Sequence, residues 1–112
     1  MKLNHLNLTV TDVPAARAFL EKYFGMTGGT ERGNGFDAVF DDDGFVLTLM
    51  RGREVLYPKT FHIGFPQENE AQVDRINQQL KYDGFDVSPP QHSHGYTFYV
   101  KAPGGFTVEV IC

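Results

Sequence analysis

The sequence predicts an α+β fold in which two tandem βαβββ units form one cupped mixed sheet about a pseudo-twofold axis. Three observations carry that expectation. Strand-like period two and helix-like period 3.6 follow the same order twice along the 112 residues. Landmark residues recur at a nearly constant offset: His5 and His62 stand 57 positions apart, Gly25 and Gly84 59, and Gly44 and Gly105 61. The run Lys22-Tyr23-x-Gly25 returns as Lys81-Tyr82-x-Gly84. A duplication of this kind implies a single domain over residues 1–112. Unit one covers about 1–53, a linker with Pro58 about 54–58, and unit two about 59–112.

Leu3 to Val10 alternates, with Leu6, Leu8 and Val10 on one face and His5, Asn7 and Thr9 on the other, the pattern of a half-buried strand. Asp12 offers an N-cap and Pro14 falls in the first turn, where a missing N–H costs nothing. Ala16, Phe19, Leu20, Tyr23 and Phe24 then follow at helical spacing, and Gly25 suits the position past the helix end. Three strands are expected next: a weak one near 27–32, then 36–40 and 45–50, with Asn34-Gly35 and Asp43-Gly44 as turn signals. The second half repeats the order. A strand is expected over 60–65, and a helix capped by Asn69 with the stripe Val73, Ile76 and Leu80, ending at Gly84. Strands over 85–88, 96–101 and 106–111 complete it, with Pro103-Gly104-Gly105 as the last turn.

Composition narrows the function classes. Hydrophobic residues make up 41% and charged residues 21%, a globular balance that argues against disorder. The net charge is −4, and Lys and Arg form no cluster, so a nucleic-acid backbone has no footprint to meet. Cys112 is the lone cysteine, which excludes an internal disulfide and a cysteine-rich zinc site. The N-terminal alternation lacks the apolar run of a signal peptide, and no stretch is long enough to span a bilayer. A soluble cytoplasmic protein without membrane contact is the expectation.

Helices cover the more apolar face of a sheet. His5, His62 and, on the last strand, Glu109 with Thr107 therefore point to the other, concave side. The duplication gives Glu109 a counterpart in Thr48, so His5, Thr48, His62 and Glu109 are four pseudo-symmetric positions on that side. Two imidazoles and a carboxylate form the facial triad that suits Fe(II), with Mn(II), Ni(II) and Zn(II) as other occupants. Hydrogen-bonded strand histidines and a solvated glutamate are the plainer reading of each residue taken singly; the joint placement favours a divalent metal site.

The segments around these residues, Leu-Asn-His5-Leu-Asn-Leu-Thr-Val, Phe-His62-Ile-Gly-Phe and Ala-Pro-Gly-Gly-Phe-Thr-Val-Glu109-Val, resemble the three metal-ligand segments of the vicinal-oxygen-chelate superfamily. That superfamily includes glyoxalase I, methylmalonyl-CoA epimerase, extradiol dioxygenases, fosfomycin-modifying enzymes and bleomycin-binding proteins. The resemblance implies paired βαβββ units, a homodimer, and in some members units exchanged between subunits, so that His5 could meet the partner's His62 and Glu109. Departures are informative. The strand of Val46, Thr48 and Met50 lacks the carboxylate that glyoxalase I and the epimerase use as a fourth ligand. The stretch Ser93, Gly95, Thr97 and Tyr99 is similar to the substrate segment of fosfomycin-modifying enzymes. Pro89, however, stands in place of their lysine.

Further candidates are Tyr99 and the loop histidines His92 and His94 as acid–base groups or, for the histidines, ligands of a second ion, with an exposed polar loop as the alternative. Thr48 and Thr97 are candidates for binding substrate oxygens, and Phe36 and Phe40 for an apolar pocket wall. Arg51 and Arg53 are either rim groups for an anion or a solvated pair, and Asp41-Asp42-Asp43 reads as a charged hairpin tip. The expected function is metal-dependent chemistry of the dioxygenase, lyase or transferase type on a small oxygen-chelating molecule. The competing reading is a metal-free protein that binds an apolar or cationic drug in a dimer groove.

Overall fold

A computed structural model describes all residues, Met1–Cys112. The elements are β1 (His5–Val10), α1 (Val13–Phe24), β2 (Phe36–Phe40), β3 (Val46–Arg51), β4 (Ile63–Pro66), α2 (Glu70–Tyr82), β5 (Gln91–His92), β6 (Tyr96–Ala102) and β7 (Phe106–Ile111). The chain divides into two compact units, one of 1–57 with 103–105, the other of 58–102 with 106–112. Each carries its own mixed sheet.

In the first unit the strand order is β1-β3-β2, with β1 parallel and β2 antiparallel to β3. The weak strand expected near 27–32 reduces to one bridge, Thr27 to Phe40, because Gly28, Gly29 and Gly33 bring no side chains to pack and the segment is recruited instead by Arg17. Helix α1 starts where Asp12 Oδ1 accepts from Ala15 N at 3.0 Å and stops at Gly25, whose φ is +66°. It buries Val13, Ala16, Phe19 and Leu20 toward β2 and β3, each such side chain contributing about 1.5–3 kcal/mol when removed from water.

The same helix face carries Arg17, 1% exposed. Its guanidinium donates to Asp37 Oδ2 (2.6 Å), Glu21 Oε2 (3.3 Å) and the carbonyls of Gly29 (2.5 Å) and Glu31 (3.2 Å). A Cβ at Gly28 would lie 2.7 Å from that guanidinium, so the loop can wrap it only without a side chain there. At the hairpin tip Asp41 Oδ1 accepts from Asp43 N and Phe45 N, so the acidic triplet is a turn that satisfies its own backbone. The Tyr57 hydroxyl donates to Thr9 O and accepts from Thr9 N, closing the outer edge of β1.

In the second unit the order is β4-β7-β6-β5, with β4 parallel to β7 and the rest antiparallel. Phe61 and His62 fall just before β4 rather than inside a strand over 60–65, since Phe61 N turns back to Pro58 O. Residues 85–88 form no strand; the edge strand is β5 instead, and Ser88 O is taken by the buried Asn77 Nδ2 at 2.9 Å. Helix α2 is capped by Asn69 Oδ1, which accepts from Gln72 N, and buries Val73, Asn77 and Leu80 toward β6 while Ile76 stays half-buried.

The two sheets share one plan. In each, the last strand lies between a parallel neighbour and an antiparallel one, and the Thr27 bridge of the first stands where β5 stands in the second.

Candidate functional site

The register of each sheet decides which side chains share a face. In the first unit His5, Asn7 and Thr9 pair with Val46, Thr48 and Met50, which in turn pair with Phe40, Ala38 and Phe36. All nine lie on the face opposite Leu47 and Leu49, which are buried. His5 is exposed and its Nδ1 meets Asn4 Oδ1 at 2.8 Å. Since that oxygen only accepts, Nδ1 carries a proton and Nε2 is the nitrogen left without a partner in this chain. Thr48 is half-buried and donates to Asn7 Oδ1 at 2.8 Å, so its hydroxyl is already engaged. Phe36 and Phe40 are 51% and 40% exposed at the two ends of β2. Arg51 and Arg53 are exposed and show no ion pair.

In the second unit Gly64 pairs with Glu109, which in turn pairs with Tyr99, while Thr97 pairs with Ile111 and Gln91. Here the structure assembles a site. Glu109 is buried, 6% exposed, between Val108 and Val110, whose side chains turn to the opposite face. Thr97 Oγ1 donates to Glu109 Oε2 at 2.6 Å, and His94 Nε2 lies 2.6 Å from the same oxygen. His62 Nε2 stands 3.3 Å from Oε1, and the His62 ring packs edge-on against Tyr99 with centroids 5.4 Å apart. Burial alone would raise the Glu109 carboxyl. Hydrogen bonds from Thr97, His94 and Tyr99 outweigh it and hold the group below its ordinary value, so the carboxylate is the stable form. Burial, then the bond to Glu109, pushes the Tyr99 phenol up, so it stays protonated at neutral pH.

The loop histidines part company. His92 is exposed and packs against Tyr96 with centroids 4.8 Å apart, 3.9 Å from Glu70, while the Tyr96 hydroxyl donates to the half-buried Asp74. His94 turns to the carboxylate. A cavity of about 570 Å³ opens beside it, lined by Ser88, Gln91, Ser93, His94, Thr97 and Tyr99 among others. It holds hydroxyls, an amide and an imidazole, and no lysine or arginine.

His62 and His94 address different oxygens of Glu109, and no group of three or more His, Cys, Asp or Glu side chains is set up to hold a metal ion. The donor chemistry at one pair nevertheless fits a cation. His62 Nδ1 lies 2.9 Å from the Thr60 carbonyl, which only accepts, so Nδ1 carries a proton and, in the neutral ring, the Nε2 lone pair faces the Oε1 lone pair. Two acceptors held together need a proton or a metal ion between them. Nitrogen and oxygen bound to one ion at roughly 2.0–2.2 Å stand about 3.0–3.4 Å apart, which brackets the observed separation.

The contact of His62 with Tyr99 and the bonds of His94 and Thr97 to Glu109 went unread in the sequence. Counting outward from the Pro103–Gly105 turn would have paired Tyr99 with Glu109 and set Thr97 diagonally beside it. Nothing in the sequence aims His94.

A family model described as Glyoxalase/Bleomycin resistance protein/Dioxygenase superfamily matches residues 2–110. A structure titled a possible glyoxalase from Bacillus cereus is 68% identical, with a TM-score of 0.95 over 100% of this chain and 99% of that one. A FosX mutant from Listeria monocytogenes, in complex with Mn(II) and a dihydroxypropylphosphonic acid, is 21% identical (TM-score 0.81, 98% of this chain and 90% of that one). A lactoylglutathione lyase from Agrobacterium tumefaciens is 18% identical (TM-score 0.76, 98% and 92%). These last two are likenesses of fold. Comparison with curated proteins gives no match.

Proposed function

We propose, because this chain belongs to the glyoxalase, bleomycin resistance protein and dioxygenase superfamily, that it is a divalent-metal-dependent enzyme acting on a small molecule through neighbouring oxygen atoms. The observation that carries the reading is the His62 Nε2 to Glu109 Oε1 pair, 3.3 Å apart beside a cavity of mixed polar and apolar lining. Fold relatives that bind Mn(II) or are lactoylglutathione lyases support it.

His62 and Glu109 would hold the ion, with His5 as third ligand, from the same chain or from a partner in a homodimer. The His5 ring is prepared in the same way as that of His62, Nδ1 engaged and Nε2 free. Fe(II), Mn(II), Ni(II) and Zn(II) all suit two imidazoles and a carboxylate. When bound, such an ion supplies Lewis acidity toward a substrate carbonyl or developing oxyanion.

The chain's own residues do the rest. Tyr99, 44% exposed and protonated, is placed to donate a proton to a substrate oxygen entering beside His62. Thr97 and His94 hold the carboxylate, and the hydroxyls of Ser88 and Ser93 with the Gln91 amide offer hydrogen bonds to an uncharged polar substrate. A substrate with a phosphonate finds no cationic side chain in this cavity. Thr48, with its hydroxyl bound to Asn7, and Phe36 and Phe40 remain proposed as more distant substrate contacts. The single free cysteine and the absence of any helix long and apolar enough to cross a membrane agree with a cytoplasmic setting.

Elemental analysis of protein purified without added ions tests the reading. One divalent ion per chain is expected, lost in His62→Ala and Glu109→Ala. Stoichiometric metal that survives His62→Ala unchanged would contradict it.

A further inference from the structure

The two oxygens of Glu109 keep different company. Oε2 has two partners at 2.6 Å, Thr97 Oγ1 and His94 Nε2, whereas Oε1 faces the more distant His62 Nε2 at 3.3 Å, and Tyr99 completes the bonds to the carboxylate. The distances separate the roles. Atoms bound to a common ion stand about 3.0–3.4 Å apart. A separation of 2.6 Å is too short for that and has the length of a charge-assisted hydrogen bond. Resting on the metal reading above, we propose that His94 and Thr97 clamp Oε2 and so restrict Glu109 to binding the ion through Oε1 alone. His94 is thereby a positioning residue.

Several features converge on this arrangement. A carboxylate oxygen only accepts, so His94 must present Nε2–H to it. Its Nδ1 faces Ser93 Oγ at 3.3 Å, a hydroxyl that can donate or accept. The loop that aims the ring is tied down: Ser93 N donates to Gly95 O, and Tyr96 exchanges both backbone bonds with Cys112. Gly95 sits so close to the end of β7 that a Cβ would lie 2.8 Å from Ile111 and 2.9 Å from the Cys112 carbonyl. Thr97 reaches Oε2 from the neighbouring strand, two register positions along from Tyr99. A carboxylate free to rotate or to bind through both oxygens would change the number of positions left for substrate. With Oε2 held at two points, rotation would break two strong bonds.

The test uses the full chain and Co(II), whose visible spectrum reports coordination number, with affinity measured by competition against a chelator. Loss of an outer partner of a metal ligand typically costs about 10–100-fold in affinity. His94→Ala and Thr97→Val are expected to weaken Co(II) binding by about that factor and to alter the spectrum. His94→Gln keeps an N–H at nearly the same distance along the side chain, and Thr97→Ser keeps the hydroxyl. Both should recover most of the affinity and the wild-type spectrum. Thermal melts of the metal-free variants report folding separately, and the His94 side chain, 54% exposed, is not part of the core.

Wild-type affinity and spectrum in His94→Ala would overturn the clamp while leaving the metal reading intact. So would a His94→Gln chain that is folded yet as impaired as His94→Ala. A wild-type chain that takes up no Co(II) overturns the metal reading and the clamp with it.

Discussion

Thr48 on β3 and Glu109 on β7 occupy the same place in two copies of one sheet, beside Asn7 on β1 and Gly64 on β4. In the first unit the place is filled and neutral, since the threonine hydroxyl donates across to the asparagine amide oxygen at 2.8 Å. In the second, the neighbour is a glycine and the residue a carboxylate. Glu109 must therefore draw its hydrogen bonds from Thr97, His94 and Tyr99, and it keeps one oxygen facing His62. A duplicated scaffold thus need not carry two sites. One register position, changed from a hydroxyl to an acid and given space, is enough to make the halves chemically unlike.

The largest effect expected from that contrast is on metal uptake. Glu109→Ala removes a proposed ligand and should weaken divalent-ion binding by more than the roughly 10–100-fold that a lost outer partner costs. Thr48→Ala removes one neutral hydrogen bond, worth about 0.5–1.5 kcal/mol of stability, and should leave uptake close to wild type. Titration with a competing chelator separates the two. Equal losses would show that the units are not as different as their side chains suggest.

The first unit places its buried charge elsewhere, on the helix side, where Arg17 is enclosed by Asp37, Glu21 and two loop carbonyls. Arg17→Ala strands two carboxylates and those carbonyls, and breaking a buried pair of this kind costs about 3–5 kcal/mol. Urea unfolding should register it as a fall in midpoint. Arg17→Lys should recover only part, because an ammonium cannot serve four acceptors in a planar fork.

The same network sets a direction for pH. Burial would raise the Asp37 carboxyl, but hydrogen bonds from Arg17, Ala38 N and Gly33 N prevail and hold it below its ordinary value of 3.8. Arg32, against the desolvation of the site and with help from Arg17, holds Glu21 below 4.5. Carboxyls depressed in the folded state bind more protons unfolded, so their stabilisation is complete above those ordinary values. It is lost as pH falls through the lower folded values. Acid unfolding of the wild type should steepen below about pH 4.5, and Arg17→Ala should flatten that limb. An unchanged acid limb in the variant would deny the network this role.

Much of the fold was legible in the sequence because burial imposes a period. Leu8, Val10, Val39, Leu47 and Leu49 in one unit, and Phe98, Val100, Val108 and Val110 in the other, alternate as the pleat requires. The caps Asp12, Gly25 and Asn69 were equally readable, since each has one chemical task at one position. Residues 27–32 and 85–88 were not. They are short, with few side chains of strand type, and their course is decided by distant partners, Arg17 for one and Asn77 for the other. At the site, His62 and Glu109 followed from parity and the repeat. The aim of His94 did not, because a loop has no period and Gly95 announces a tight place without saying what the neighbouring ring will meet.

A smaller and sharper test exchanges the neighbours. Gly64 has ordinary backbone angles, and a Cβ there meets nothing within 4 Å, so Gly64→Asn should change stability by no more than about 0.5 kcal/mol. In the parallel register its amide would stand beside Glu109 as Asn7 stands beside Thr48. There it can donate an N–H to the oxygen that otherwise faces His62. A hydrogen bond of about 1 kcal/mol that must be broken before the oxygen can bind an ion lowers affinity by severalfold. Gly64→Ala supplies the Cβ without the amide and should bind as the wild type does. If the alanine variant loses as much as the asparagine one, the open space beside Glu109 matters more than its missing donor. The contrast between the units would then lie in volume, with hydrogen bonding secondary.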